Sequence, residues 1–325
     1  MSDAPPLAKR KRNSTANETA TPIRSHIWKP FGDIVLQAES TQFRVSRDVL
    51  ANQSPVFADM FDVPQPPNEP QIDGCPLVIL SEDRAKDWEF LLGILYDNPF
   101  EFKKSLGFDM AVALLRLGRK YGIPTAEASA IRRIHSEFPA AFEAWNRNEL
   151  LLEVEDVDRN LIDILTLAYE FGINTSIPTI AYACLRDKSL EQIFTGVMRT
   201  DGSRVLPPQK ILQALTIGFE RIMRFQHEAY MWMENDTVIP CTLCRQREKC
   251  AEARVELHRV VAWNDLTNAP DCFALCFDFE DFSGDFCKPC AIAGKAAHAV
   301  SRTKAWQTLP TFFGLPGWKE LEDVQ

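Results

Sequence analysis

The stretch GDIVLQAESTQFRVSRDVLANQSPVFADMF, residues 32–61, carries the strongest structural pattern in this chain. One apolar set, Ile34, Leu36 and Ala38, alternates with Val35 and Gln37. After the polar residues 39–41, Phe43 and Val45 alternate with Gln42 and Arg44. Alternation with a period of two is typical of half-buried strands, so this part predicts a β-hairpin. Ser54-Pro55 then predicts the start of a helix, because serine caps a first turn and proline lacks only an N–H that is unpaired there.

The elements on either side of this stretch can also be predicted. Residues 76–80, Pro-Leu-Val-Ile-Leu, form a third predicted strand after a proline-rich loop. The helix after it has one apolar stripe, made of Trp88, Leu91, Leu92 and Leu95. Residues 1–27 are rich in Pro, Ser, Thr and Ala without periodic apolar positions. We predict that they form a disordered tail and that order begins near Trp28.

An internal repeat follows. LLRLGRKYGIPTAEASAI, residues 114–131, aligns with ILTLAYEFGINTSIPTIA, residues 164–181, and Gly122-Ile123 matches Gly172-Ile173. Glycine accepts the left-handed conformation that ends a helix, and the next hydrophobic residue folds back onto the last turn. Each copy therefore predicts two helices around a sharp stop, although unrelated helix ends can share such residues by chance. Further helices are predicted at residues 188–199 and 208–233.

These elements occur in the order of a known domain. The matching residues are Asp33-Ile34-Val35-Leu36, Phe43-x-Val45, Val49-Leu50, Ser54-x-x-Phe57-x-x-Met60-Phe61 and Lys120-Tyr121-Gly122-Ile123. With this set, residues 28–135 resemble a BTB/POZ domain, and the whole chain is similar to fungal BTB proteins of unassigned function. The resemblance implies a domain that presents surfaces to protein partners and self-associates, here as a homodimer. The hydrophobic-x-Glu pattern of many cullin-binding members is not evident in residues 62–65.

Composition restricts the function classes. The chain has 325 residues and a net charge of −9, which argues against a broad phosphate-binding surface and so against nucleic acid as a partner. No apolar run approaches the length of about 20 residues that a membrane helix needs. No Gly-rich phosphate loop, G-x-S-x-G or H-E-x-x-H motif occurs, so we expect no enzyme and no catalytic residues. Lys9-Arg10-Lys11-Arg12 is either a nuclear import signal or part of a solvated tail, and we expect a cytoplasmic or nuclear protein.

Two Cys-x-x-Cys pairs near the C-terminal end are the main candidate site. Each pair, Cys241/Cys244 and Cys287/Cys290, precedes a segment with helical spacing, and helix N-termini favour thiolates. Zinc takes two such pairs in its tetrahedral shell, so these four cysteines are the predicted ligands of a structural zinc ion. Two alternatives stay open: unligated thiols in a small core, and a redox-active pair.

The other five cysteines are given different roles. Cys75, Cys184 and Cys250 are interpreted as core residues. Cys272 and Cys276 are the substitute ligands if the four predicted cysteines are not the correct set. The predicted fold is α+β and mostly α-helical. Its predicted parts are a tail (1–27), a BTB/POZ-like domain (28–135), a helical region (136–235) and a Cys-containing helical region (236–325).

The sequence therefore favours a non-enzymatic interaction and self-association module. Two alternatives are a substrate adaptor of a cullin-type ubiquitin ligase and a nuclear transcriptional regulator.

Overall fold

The structure is a computed structural model, and it describes residues 21–64, 70–96, 106–146, 154–155, 157–199, 202–263 and 279–324. The chain divides into two compact units, Met1–Pro99 and Phe100–Gln325. The domain limits predicted from the sequence stay predictions. Lys9–Arg12, Cys272 and Cys276 lie outside the described residues. The predicted fold class, α+β and mostly helical, is confirmed.

The first unit is built on a five-stranded mixed sheet. Its strands are β1 (Ile23–Trp28), β2 (Ile34–Ala38), β3 (Thr41–Val45), β4 (Gln71–Ile72) and β5 (Cys75–Leu80), in the order β1-β3-β2-β5-β4. The predicted hairpin is β2–β3, with Leu36 opposite Phe43. The predicted third strand is β5, which lies parallel to β2.

The described residues of this unit also form three helices: α1 (Arg47–Gln53), α2 (Pro55–Asp62) and α3 (Ala85–Tyr96). The predicted helix start at Ser54 is confirmed, because the backbone N–H of Phe57 donates to Ser54 Oγ at 3.1 Å. Trp88 of α3 is fully buried and packs edge-on against the Phe57 ring, with ring centroids 5.9 Å apart. The hairpin, α2 and α3 therefore share one core.

The N-terminal limit of ordered chain differs from the prediction. Residues 23–27, assigned to the disordered tail, belong to strand β1, which pairs in parallel with β3. Ile27 is 2% exposed, so this strand is part of the core. Composition did not indicate it because only two apolar residues separated by polar ones carry the pattern.

The second unit begins with the two predicted helical hairpins. The first is α4 (Phe108–Tyr121) and α5 (Pro124–Glu137). After the short helix α6 (Phe142–Asn146), the second is α7 (Val157–Phe171), a short 3-10 helix (Asn174–Ser176) and α8 (Ile177–Asp187). Strand β6 (Leu106–Gly107) pairs in parallel with β7 (Val154–Glu155).

The two hairpins end their first helices in the same way. Gly122 and Gly172 have φ of 61° and 68°, and the N–H groups of Ile123 and Ile173 bond to the carbonyls of Gly118 and Ala168. These bonds span the same number of residues, as in a Schellman stop. The predicted equivalence of the two helix ends is therefore confirmed.

The described remainder of this unit contains further helices and one short pair of strands. The helix predicted at 188–199 is only α9 (Leu190–Thr195), and the antiparallel pair β8 (Val197–Met198) and β9 (Arg204–Val205) follows. The correction has a local cause: Gly196, at φ 95°, ends the helix. The remaining helices are α10 (Gln209–Glu234), α11 (Arg247–Trp263) and α12 (Lys288–Phe312), with a 3-10 helix (Phe279–Asp285) before α12.

Within the described residues, no helix combines the length and apolarity that a membrane crossing requires.

Candidate functional site

Five cysteine sulfur atoms come together in the second unit. The Sγ atoms of Cys244, Cys250, Cys287 and Cys290 all lie within 4.8 Å of one another. In this group, the Sγ atoms of Cys244 and Cys287 are 3.7 Å apart. Cys241 Sγ lies 3.7 Å from Cys290 Sγ. We call these five residues the cysteine cluster.

Three pieces of chain supply these residues. Cys241 and Cys244 lie in a turn between α10 and α11, which a bond from Cys244 N–H to the Cys241 carbonyl closes at 3.0 Å. Cys250 lies in the first turn of α11, where its N–H donates to the Gln246 carbonyl. Cys287 is the N-cap residue of α12, and Cys290 lies in the first turn of that helix.

An apolar layer holds the pieces together. The Phe279 ring is 1% exposed and lies over Gly294 of α12, where an added Cβ would meet the ring at 2.4 Å. Phe279 also stacks on Phe286 at 5.7 Å, one residue before Cys287. Ile239, before Cys241, is fully buried. These packed residues position the cysteine cluster. A glycine is needed at position 294 because the Phe279 ring packs directly against its backbone.

The thiol groups of the cluster differ in the direction of their pKa shifts. The backbone N–H of Cys290 lowers the pKa of the Cys287 thiol to about 7. Burial raises the pKa of the Cys290 and Cys250 thiols. Metal ions bind thiolates, so the lowered pKa makes the Cys287 sulfur available to a metal near neutral pH.

Amide groups also point at the sulfur atoms. The N–H of Cys241 donates to Cys290 Sγ, and the N–H of Cys287 donates to Cys250 Sγ, both at 3.4 Å. Such outer hydrogen bonds stabilise negative charge on a ligand sulfur. The donor set is therefore four or five soft sulfur atoms supported by amides, and four close cysteines can bind a metal ion.

The sequence and the structure select overlapping sets. All four predicted ligands lie in the cysteine cluster. The group of four with mutually close sulfur atoms contains Cys250 in place of Cys241. Cys250 is fully buried, as the core assignment required, but its sulfur also faces the other cysteines. Spacing on the apolar face of a helix cannot distinguish these roles. Cys75 and Cys184 are buried, and the core interpretation is confirmed for both.

A second cluster in the same unit resembles a hydrolase triad in composition. His135 Nδ1 lies 2.9 Å from Ser176 Oγ, and His135 Nε2 lies 2.8 Å from Asp323 Oδ2. However, Ser176 is fully buried, and its hydroxyl donates to the Phe138 carbonyl at 2.8 Å. A nucleophile must be accessible and must give its proton to the base. This arrangement instead holds the C-terminal tail, because Asp323 also accepts the Thr175 N–H at 2.8 Å.

The first unit has two surface features of interest. Ile23 of the edge strand β1 is 63% exposed, and Phe31 before β2 is 97% exposed. Elsewhere, residues of β2, α1, α2 and β5 line a groove of about 260 Å³. Arg47 lies in this groove with its guanidinium carbon 5.5 Å from the centre of the Phe61 ring. The unit thus exposes apolar area both at its sheet edge and in a groove.

Comparison with known proteins adds one finding. Residues 26–136 match the family model of the BTB/POZ domain. No curated protein matches the chain.

Proposed function

The chain carries a BTB/POZ domain over residues 26–136, and we propose that it acts as a non-enzymatic protein–protein interaction module that self-associates through this domain. BTB/POZ domains are interaction modules, so a role with protein partners follows from the family. The family match over these residues is the observation that carries the proposal. Closed two-fold dimers are the commonest soluble assembly, so the expected product is a homodimer.

Exposed apolar residues at the sheet edge support self-association. Phe31 is almost fully exposed, and Ile23 belongs to β1, which lies at one edge of the sheet. An edge strand presents unpaired backbone groups that a second chain can pair with. Ile27 of the same strand is buried within its own unit and so is not available to a second chain. The test therefore uses Ile23 and Phe31.

Light scattering coupled to size-exclusion chromatography tests the proposal on the full chain. At micromolar concentration we expect twice the chain mass of 36.9 kDa. The double variant Ile23→Ser/Phe31→Ser should shift toward the monomer mass. Val300→Ser, which changes a residue of the second unit that is 69% exposed, is the matched control and should keep the dimer. A monomer mass for the parent protein over the whole concentration range would contradict self-association.

We also propose that the cysteine cluster binds one structural zinc ion. Its donors are sulfur atoms only, and zinc is the metal that commonly occupies closed four-cysteine sites. Two of the sulfur atoms, those of Cys250 and Cys290, are fully buried, which suits a site without an open coordination position. The ion would hold the turn before α11 to the first turn of α12.

Metal analysis of full-length protein purified without chelator tests zinc. We expect about one equivalent of zinc per chain. A content below about half an equivalent would count against zinc, and core thiols would then be the better interpretation. A reversible disulfide within the cluster in place of zinc would favour the redox interpretation.

A further inference from the structure

We propose that Cys244, Cys250, Cys287 and Cys290 are the zinc ligands and that Cys241 stays outside the coordination shell as an uncoordinated thiol next to Cys290. This inference rests on the proposed zinc site and specifies its ligand set. It departs from the usual arrangement of two Cys-x-x-Cys pairs. The resulting pattern is a five-residue spacer between Cys244 and Cys250, and a two-residue spacer between Cys287 and Cys290.

Sulfur distances carry the assignment. Zinc–sulfur bonds of about 2.3 Å put the four sulfur atoms of a tetrahedral site about 3.8 Å apart. The four sulfur atoms of Cys244, Cys250, Cys287 and Cys290 lie within 4.8 Å of one another, and the Cys244–Cys287 pair is already at 3.7 Å. Shifts of no more than about 1 Å therefore bring all of them to the distances of a four-sulfur shell.

Cys250 has the surroundings of a ligand. Its sulfur is fully buried and accepts the N–H of Cys287 at 3.4 Å. It lies in the first turn of α11, where the helix dipole favours a negative charge. Within the described residues, the first turn of α11 is therefore a third chain segment that contacts these sulfur atoms, in addition to the two Cys-x-x-Cys segments.

Cys241 differs from these four cysteines in the distances of its sulfur atom. Its sulfur contacts that of Cys290 at 3.7 Å, but it is not part of the group in which every sulfur lies within 4.8 Å of every other. A tetrahedral shell has four positions, and four other sulfur atoms fill them. Cys241 acts on the site through its backbone, since its N–H donates to Cys290 Sγ at 3.4 Å. A serine at this position keeps that N–H.

The first experiment measures zinc content in full-length variants. Single substitutions to serine at Cys244, Cys250, Cys287 and Cys290 should each remove most of the zinc. Cys241→Ser should keep about one equivalent, because the remaining four sulfur atoms complete the shell. Cys75→Ser is the matched control, since this buried cysteine lies in the first unit and outside the cluster. Retention in Cys250→Ser together with loss in Cys241→Ser would overturn the ligand set.

The second experiment avoids variants, because loss of a ligand can unfold the region. The zinc-bound parent protein is treated with iodoacetamide, and the modified cysteines are identified by peptide mass spectrometry. Cys241 should be alkylated while zinc is bound, and Cys244 and Cys287 only after a chelator removes it. Protection of Cys241 by zinc to the same extent as Cys244 would overturn the proposal. A parent protein without zinc would instead overturn the zinc site itself, so the two failures are distinguishable.

Discussion

Gly172 occupies a position where both the backbone and its neighbours exclude a side chain. Its φ is 68°, a left-handed conformation that residues with a Cβ adopt at a cost. An added Cβ would lie 2.6 Å from the Val324 Cβ. The Gly172 carbonyl also accepts the Val324 N–H at 2.9 Å. The glycine thus ends α7 and receives the C-terminal tail at the same point.

We therefore expect Gly172→Ala to lower the free energy of unfolding by more than the roughly 1–2 kcal/mol of a left-handed residue. Gly202→Ala is the matched control, because Gly202 also has a positive φ, of 80°, but an added Cβ would meet nothing within 4 Å. In Gly202→Ala, the loss of unfolding free energy should stay near the roughly 1–2 kcal/mol that the left-handed backbone conformation costs by itself. Urea unfolding of the two full-length variants measures the difference, and equal costs would show that the contact with Val324 adds nothing.

Single residues also show where sequence reasoning reached its limit. Four members of the cysteine cluster could be predicted because two-residue spacing is a local property. Cys250 could not be assigned to the group, because the same burial is expected of a core cysteine and of a closed-site ligand. Ser176, His135 and Asp323 could not be connected, since they are far apart in the chain and form no motif.

At the scale of an element, helix α2 depends on its first turn. Ser54 is 1% exposed and its side chain caps the helix through the Phe57 N–H, whereas Ser46, the N-cap residue of α1, makes no such side-chain bond. We expect Ser54→Ala to destabilise the first unit by about 1 kcal/mol. Ser46→Ala should change it by only a few tenths of a kcal/mol. Hydrogen exchange of peptides from β2, β3 and α2 reports the stability of this unit directly. Similar losses of protection in both variants would contradict the capping role.

Elements differ in how far local patterns specify them. The hairpin β2–β3 and the two helix stops could be predicted, because alternation and a glycine followed by a hydrophobic residue act within a few positions. Strand β1 could not, because its burial comes from pairing with β3 and not from its own composition. The helix predicted at residues 188–199 is shorter in the structure, because Gly196 has a positive φ that ends it and the apolar pattern does not carry that information.

At the scale of the whole molecule, all residues of the cysteine cluster lie in the second unit. Removal of zinc by a chelator should release the first turns of α11 and α12. Their amide groups should then exchange faster by a large factor, since structural zinc sites contribute on the order of 10 kcal/mol of apparent binding energy. Strands β2, β3 and β5 should keep their protection, because they belong to the first unit. Hydrogen exchange measured by mass spectrometry on the full chain checks both expectations.

The zinc-free variant Cys287→Ser provides the control for this experiment. A chelator should not change its exchange, because no ion is left to remove. An equal effect of the chelator on this variant and on the parent protein would show that the chelator acts elsewhere. Loss of protection in β2 and β3 of the parent would contradict the independence of the first unit.

The contact between Cys250 and Cys287 has an evolutionary consequence. It joins the first turn of α11 to the N-cap of α12, because the Cys287 N–H donates to Cys250 Sγ at 3.4 Å. Cys287 and Cys290 reach the cluster together because they lie at the N-cap and in the first turn of one helix. An inserted residue between them would rotate one of the two side chains by about 100° around the helix axis. In related chains we therefore expect the spacing of these two cysteines to stay constant.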